Sequence, residues 1–149
     1  MSRVTAFFAA LVLAFIGMST AFSAPRDDAM DLVSKAVAHV KEVGKEKALA
    51  SFSDRSGKFV KGDLYIFAYN MQGVIIAHPM NAKLIGTDMT EVKDANGKPF
   101  TKYFIATVND AGQGWVDYSW PNPTTKKIES KSSYVAKAGD IFVGCGIYK

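Results

Sequence analysis

The residue types that could do chemistry in this 149-residue chain are a lysine, a histidine and a set of aromatics on strand-like segments, and together they suit small-molecule binding better than turnover. A small carboxylate would need a cation or several convergent donors in a mostly apolar pocket. Arginine is the usual choice, yet Arg3, Arg26 and Arg55 all lie outside the strand segments, which leaves Lys131 as the charged anchor. Register decides its neighbour. Opposite Tyr118 it shares a patch with that tyrosine; opposite Asp117 it makes an ordinary cross-strand ion pair. His78 closes a strand just before a long loop, where imidazole could bond a ligand, respond to pH or bond the loop backbone. Tyr65, Phe67, Tyr118, Trp120 and Tyr134 offer aromatic walls and hydroxyl or indole donors, although most strand aromatics are core. Tyr118 and Trp120 share a face of a regular strand, whereas Trp115 and Trp120 do not.

Enzymatic chemistry has little to stand on. Ser130, Ser132 and Ser133 lie on a strand segment with no histidine and acid arrangement around them, and no nucleophile elbow occurs. His39 falls on the polar side of a helix and is assigned no role. Two distant histidines, one cysteine and no HxxxH or CxxC spacing give zinc or haem no ligand set, and no calcium loop of EF-hand type is present. The expectation is a non-enzyme without a cofactor. Cys145, between Gly144 and Gly146 in an apolar terminal strand, reads as a small buried side chain with no partner for a disulfide. The net charge of +4 is scattered lysine. Lys35, Lys41, Lys45 and Lys47 alternate with Glu42 and Glu46, the pattern of a solvated helix face rather than of a nucleic-acid groove.

These residues are positioned by a central hairpin. Leu64 to Tyr69 puts Tyr65, Phe67 and Tyr69 on one side and Leu64, Ile66 and Ala68 on the other, so both faces should be covered. Asn70 to Gly73 is the turn and Val74 to His78 the return strand, a tight hairpin at the centre of an antiparallel sheet. Before it, Met30, Val33, Val37, Val40 and Val43 mark one stripe of an amphipathic helix from Asp28 to about Ala50, capped by Asp27 or Asp28. At about 20 residues such a helix is some 30 Å long, enough either to cover its own sheet or to extend past it and pair with a second copy. Phe52 to Gly62 is a loop anchored by Phe59 and Val60. Met80 to Pro99 is a long, mostly irregular excursion, a natural lid over the sheet. A short helix over Phe100 to Val108 and strands at Gly114 to Trp120, Lys127 to Val135 and Asp140 to Tyr148 complete an α+β fold with five antiparallel strands.

The N-terminus reads as an export signal, 1–23. Arg3 precedes an apolar run from Val4 to Met18, roughly 15 residues and short of the about 20 that span a membrane. Ala21 and Ser23 suit cleavage after Ser23, while Ser19 and Ala21 suit cleavage after Ala21; an uncleaved anchor is the other possibility. Residues 24–149 then form one domain, periplasmic or secreted.

The ordered motifs carry a resemblance. Asp63-Leu64-Tyr65-x-Phe67, Gly73-x-x-x-Ala77-His78-Pro79, Gly86, Asp94-Ala95-Asn96-Gly97-Lys98-Pro99-Phe100, Gly114-Trp115-Val116-Asp117-Tyr118-x-Trp120-Pro121-x-Pro123, Lys131-x-Ser133-Tyr134-Val135 and Gly144-x-Gly146-Ile147-Tyr148 stand in the order seen in single Cache domains of the second type. The chain resembles that PAS-like extracellular sensor family over roughly Asp28 to Lys149. The resemblance implies a bacterial sensor domain binding a small metabolite, most simply a short-chain carboxylate, under the lid. Its ligand-binding candidates are Tyr65, Phe67, His78, Tyr118, Trp120, Lys131 and Tyr134. With no cytoplasmic output following the last strand, signal transduction would pass through a membrane signalling partner. A structural or dimerisation module without a ligand, pairing through the N-terminal helix, is the alternative.

Overall fold

The computed structural model describes residues 24–149; the expected export signal lies outside the described residues. Helix α1 (Ala24–Val43) is followed by α2 (Lys45–Ser53), and the strands are β1 (Val60–Lys61), β2 (Leu64–Tyr65), β3 (Phe67–Asn70) and β4 (Ile75–Ala77). A single 3-10 turn (Ala82–Leu84), helix α3 (Phe100–Asp110) and strands β5 (Gln113–Pro121), β6 (Ile128–Ala138) and β7 (Ile141–Tyr148) complete the order. β4, β3, β7, β6 and β5 lie side by side in one antiparallel five-stranded sheet, and β1 pairs with β2 separately.

The helix does not run unbroken to Ala50. Gly44 adopts φ +85°, a conformation that strains residues with a Cβ, and there the chain turns from α1 into α2. α1 begins at Ala24, so Asp27 occupies its first turn, where its charge suits the helix dipole, instead of capping it. The buried stripe is centred on Ala29, Leu32, Val33 and Ala36, with Val37, Val40 and Val43 partly covered and Met30 exposed. Two alanines in that stripe let the helix backbone lie close to the sheet. The bend at Gly44 brings Phe52 back under α1, where it meets Phe59 edge-on at 4.8 Å between centroids. His39 is buried in the same layer, 5.1 Å from the Phe59 ring with Nε2 3.1 Å from Ser51 Oγ, and not on a polar face.

The hairpin is not central. β7, the last strand, inserts between β3 and β6 and takes the middle of the sheet, pushing β4 to the edge. That edge is not left open. Ile75 N–H donates to the Thr87 carbonyl, Gly86 N–H to the Ile75 carbonyl and Met89 N–H to the Gly73 carbonyl, so the segment after His78 runs along β4. The turn itself forms as read: Gln72 and Val74 N–H groups donate to the Asn70 side chain, and Gly73 takes φ +89° with Thr90 so near that a Cβ would fall 2.5 Å from its methyl. The other end of the excursion is pinned by Asp94. Its carboxylate accepts the N–H groups of Asn96 and Lys98 on one oxygen and Ser119 of β5 on the other, each at 2.9 Å.

Strand alternation divides the core into two layers. Ile66, Ala68, Tyr134, Ala136, Val143 and Cys145 face α1 and α2. Tyr65, Phe67, Tyr69, Ile75, Val116, Tyr118, Val135 and Phe142 face α3, which contributes Phe100, Phe104 and Val108. Cys145 is a buried free thiol.

Candidate functional site

The α3 layer of the sheet holds the site. β5 and β6 pair so that Tyr118 stands opposite Lys131, and of the two registers open to the sequence this is the one that puts both on a shared patch. Lys131 is 1% exposed, and its ammonium donates to the Tyr65 hydroxyl at 2.8 Å. The same nitrogen lies 4.3 Å from the Tyr65 ring centroid, 4.8 Å from that of Tyr148 and 5.8 Å from that of Phe67. Aromatic faces carry negative charge density and partly replace lost water around a cation. Among the described residues no carboxylate pairs with it. Burial therefore pulls the lysine down to about 7, the expected response of an ammonium taken out of water.

Room for this lysine comes from β7. A Cβ on Gly146 would stand 2.3 Å from Lys131 Cε and 2.3 Å from Ser133 Oγ, and one on Gly144 would strike the Phe67 ring at 2.4 Å. The two glycines thus leave a trough in the middle strand, filled by side chains from its neighbours. Ser133 in turn bonds the Tyr118 hydroxyl at 3.0 Å.

His78 is 5% exposed and lies with its ring centroid 5.2 Å from that of Tyr65. The backbone N–H of Asn81 donates to its Nδ1 at 3.0 Å. An accepting Nδ1 places the proton of the neutral ring on Nε2, which is then a donor. Burial first, and the charge of Lys131 second, lower its pKa to about 4, so the ring is neutral over the ordinary range. Phe100 stacks on Tyr118 at 4.7 Å and meets Trp120 edge-on at 5.4 Å, closing the chamber from the α3 side.

Tyr65, Phe67, His78, Tyr118, Trp120 and Lys131 are thus brought around one inner chamber, together with Tyr69 and Phe100. Tyr134 is not among them. It faces α1, with its ring 5.4 Å from Trp115, because residues 131 and 134 differ by an odd number along one strand. That parity was available in the sequence.

The inner chamber holds only about 10 Å³ of free space, no more than one water. Outside it, sharing Tyr65, His78 and Trp120, is a vestibule of about 270 Å³. Met80, Asn81 and Leu84 of the lid segment line it, as do Asn122 and Lys126 of the β5–β6 turn and Arg55 of the loop after α2. Arg55 was passed over by sequence because it lies on no strand, yet loops build this mouth. The described residues contain no group of three or more His, Cys, Asp or Glu placed to hold a metal. The geometry offers convergent donors, Lys131, His78 Nε2 and Tyr65, at the bottom of an aromatic-walled recess.

This combination of fold and recess defines a ligand-sensor domain. The chain belongs to the Single Cache domain 2 family, whose profile matches residues 28–149. It is 28% identical over 88 residues to the methyl-accepting chemotaxis protein McpP of Pseudomonas putida and 33% identical over 88 residues to the sensor histidine kinase MctS of Rhizobium johnstonii. Each match takes in 58% of this chain but only 16% and 19% of those longer proteins. Among solved structures, a Cache chemosensory domain studied for carboxylic acid recognition is 26% identical with a TM-score of 0.72, over 85% of this chain and 95% of that one. The methyl-accepting chemotaxis protein of Vibrio parahaemolyticus shares the fold, with a TM-score of 0.74 at 24% identity over 85% of this chain and 89% of that one. The protein is therefore homologous to the sensor domains of chemoreceptors and histidine kinases. No helix among the described residues is long and apolar enough to cross a membrane.

Proposed function

We propose that residues 24–149 form an exported periplasmic sensor domain that binds a short-chain carboxylate and passes the bound state to a membrane signalling partner. The observation that carries this reading is Lys131: a buried ammonium with a tyrosine hydroxyl as its hydrogen-bond partner and no carboxylate beside it. A buried charge without a counter-ion is costly, and a carboxylate arriving with two acceptor oxygens removes much of that cost. His78 Nε2–H and Tyr65 stand beside it as further donors. The carboxylic acid recognised by the 26% identical Cache domain supports the same ligand class. Since the inner chamber is closed, binding requires its side chains to move, and a ligand that favours the opened arrangement shifts the population toward it.

A second reading is a dimerisation module without a ligand. Its support is the near-full inner chamber and an open groove of about 660 Å³ beside α1, lined by Met30, Val33, Val37 and Tyr134.

Thermal unfolding of the chain against small carboxylates, amino acids, amines and purines separates the two, because only a binder gains stability by mass action. The expected result is a saturable rise with carboxylates that disappears in Lys131→Met. No rise with any compound, together with a concentration-dependent dimer, would favour the second reading.

A further inference from the structure

The site has two compartments of unequal size, and the larger one is positively charged. Behind His78 and Tyr65 lies the 10 Å³ chamber with Lys131; in front lies the 270 Å³ vestibule with Arg55 and Lys126. Neither Arg55 nor Lys126 takes part in an ion pair among the described residues, and no carboxylate lines the vestibule. Two acids accept hydrogen bonds from residues of the β5–β6 turn. Asp63 accepts from the Thr124 hydroxyl, and Glu129 accepts from Asn122 Nδ2 at 2.7 Å and from Thr125 Oγ1 at 2.6 Å.

Lys126 is held at the mouth by unusual backbone. It is the one non-glycine residue with positive φ among the described residues, at +62°, a conformation that a side chain rarely adopts. Its N–H donates to the Asn122 carbonyl at 2.9 Å, and Asn122 N–H donates to the Lys127 carbonyl at 2.8 Å, so a tight, hydrogen-bonded turn fixes the position. Asn122 is 4% exposed and spends its side chain on Glu129 and on the Thr124 N–H. The vestibule therefore has a rigid floor. His78, 5% exposed, lines both compartments with its Nδ1 occupied by the Asn81 N–H, which leaves Nε2–H as its free donor among the described residues.

We propose that the ligand is a short dicarboxylic acid, one carboxylate meeting Lys131 and His78 at the inner end and the second meeting Arg55 and Lys126 in the vestibule. The inference rests on the carboxylate reading above and narrows it. A monocarboxylate held at Lys131 would leave the charged vestibule unused; the other space that shares Lys131 with the chamber is lined by Asp94 and Asp117 and is the poorer fit for an anion. A second carboxylate separated by a short aliphatic spacer places its apolar middle against Trp120 and Met80 and its far end between two unpaired cations. Arginine and lysine differ in geometry but both favour an anion here, and the convergence of the two on a cavity without acids gives the site its sign.

Succinate and butyrate test this cleanly, since they share a four-carbon chain and differ in a terminal carboxylate against a methyl. Calorimetric titration of the full chain should give succinate at least roughly tenfold tighter than butyrate, the scale of one added charge-assisted contact. In the Arg55→Gln, Lys126→Gln double variant, succinate should fall to the affinity of butyrate while butyrate is unchanged. Both residues are exposed, so folding is not at issue. Butyrate binding as tightly as succinate, or a succinate preference that survives the double substitution, overturns the dicarboxylate assignment and leaves the carboxylate reading standing. Binding of neither acid overturns both.

Discussion

Lys131 and Tyr65 meet across the sheet at 2.8 Å, and this contact joins the only fully buried ammonium among the described residues to a tyrosine that is 1% exposed. The pair is poised rather than satisfied. An ammonium has three protons to donate and the tyrosine takes one, while aromatic faces shelter the rest.

Replacing Lys131 with methionine should therefore stabilise the free protein while abolishing carboxylate binding. The substitution keeps an unbranched side chain of nearly the same length, removes a charge with no counter-ion, and is expected to raise unfolding free energy at pH 6 by on the order of 1–3 kcal/mol. Denaturant unfolding measures it. A variant that is less stable and still binds carboxylates would place the anchor elsewhere. Tyr134→Phe is the matched control and should leave binding intact, because Tyr134 faces α1.

Stability should climb as pH rises from about 7 to about 9. Lys131 holds its proton more weakly in the folded chain, near 7, than at its ordinary 10.5, so over that interval the unfolded chain binds more protons. The slope from this group approaches about 1.4 kcal/mol per pH unit and vanishes below 7, where the lysine is charged in both states. Above about 9 Cys145, pushed up to about 12 by burial, begins to ionise only in the unfolded chain, and this offsets the lysine slope. His78, lowered to about 4, adds a separate loss of stability as pH falls through the interval from 6.5 to 4. Denaturation midpoints at unit steps of pH check the profile, and Lys131→Met should flatten its alkaline limb.

Carboxylate affinity should weaken on the same alkaline limb. A bound carboxylate favours the charged lysine, so binding takes up protons once the free group has lost them, and affinity falls by up to about tenfold per pH unit above 7. Titrations in buffers of different ionisation enthalpy would register that uptake. A pH-independent affinity between 7 and 9 would remove Lys131 from the contact.

Gly146→Ala should lose both stability and binding. The added methyl meets Lys131 Cε and Ser133 Oγ at 2.3 Å, and overpacking of this kind costs about 1–3 kcal/mol. Gly139→Ala is a useful contrast: it has open space around it and φ +67°, so its effect is backbone strain alone, without a change in ligand response.

Asp94→Ala should loosen the lid segment without disturbing the chamber. Three backbone N–H groups lose their acceptor, including that of Ser119 on β5, at a cost of about 1–3 kcal/mol. Hydrogen exchange should rise at Asn96, Lys98 and Ser119 first, while Lys131 chemistry is retained.

Alternation made much of this protein readable from its residues alone. Successive side chains on a strand point to opposite sides whatever the partner strand is, so Tyr65, Phe67 and Tyr69 had to share a side of their segment, Tyr118 and Trp120 had to share a side of theirs, and Tyr134 could not join Lys131. The ordered glycine, proline and aromatic motifs likewise carried the family. Non-local pairing was beyond reach. Nothing within Asp140 to Tyr148 says that this strand enters between β3 and β6, because that choice depends on pairing its second edge with β3, roughly 70 positions away. Two things followed from it alone: the hairpin became an edge, and Gly146 came to lie under Lys131, emptying the space in which a lysine could be buried without an acid. Arg55 and Lys126 tell the same story at the mouth. Loops carry no periodicity from which a direction can be read, so only the assembled tertiary structure could bring two cations from well-separated loops to one cavity.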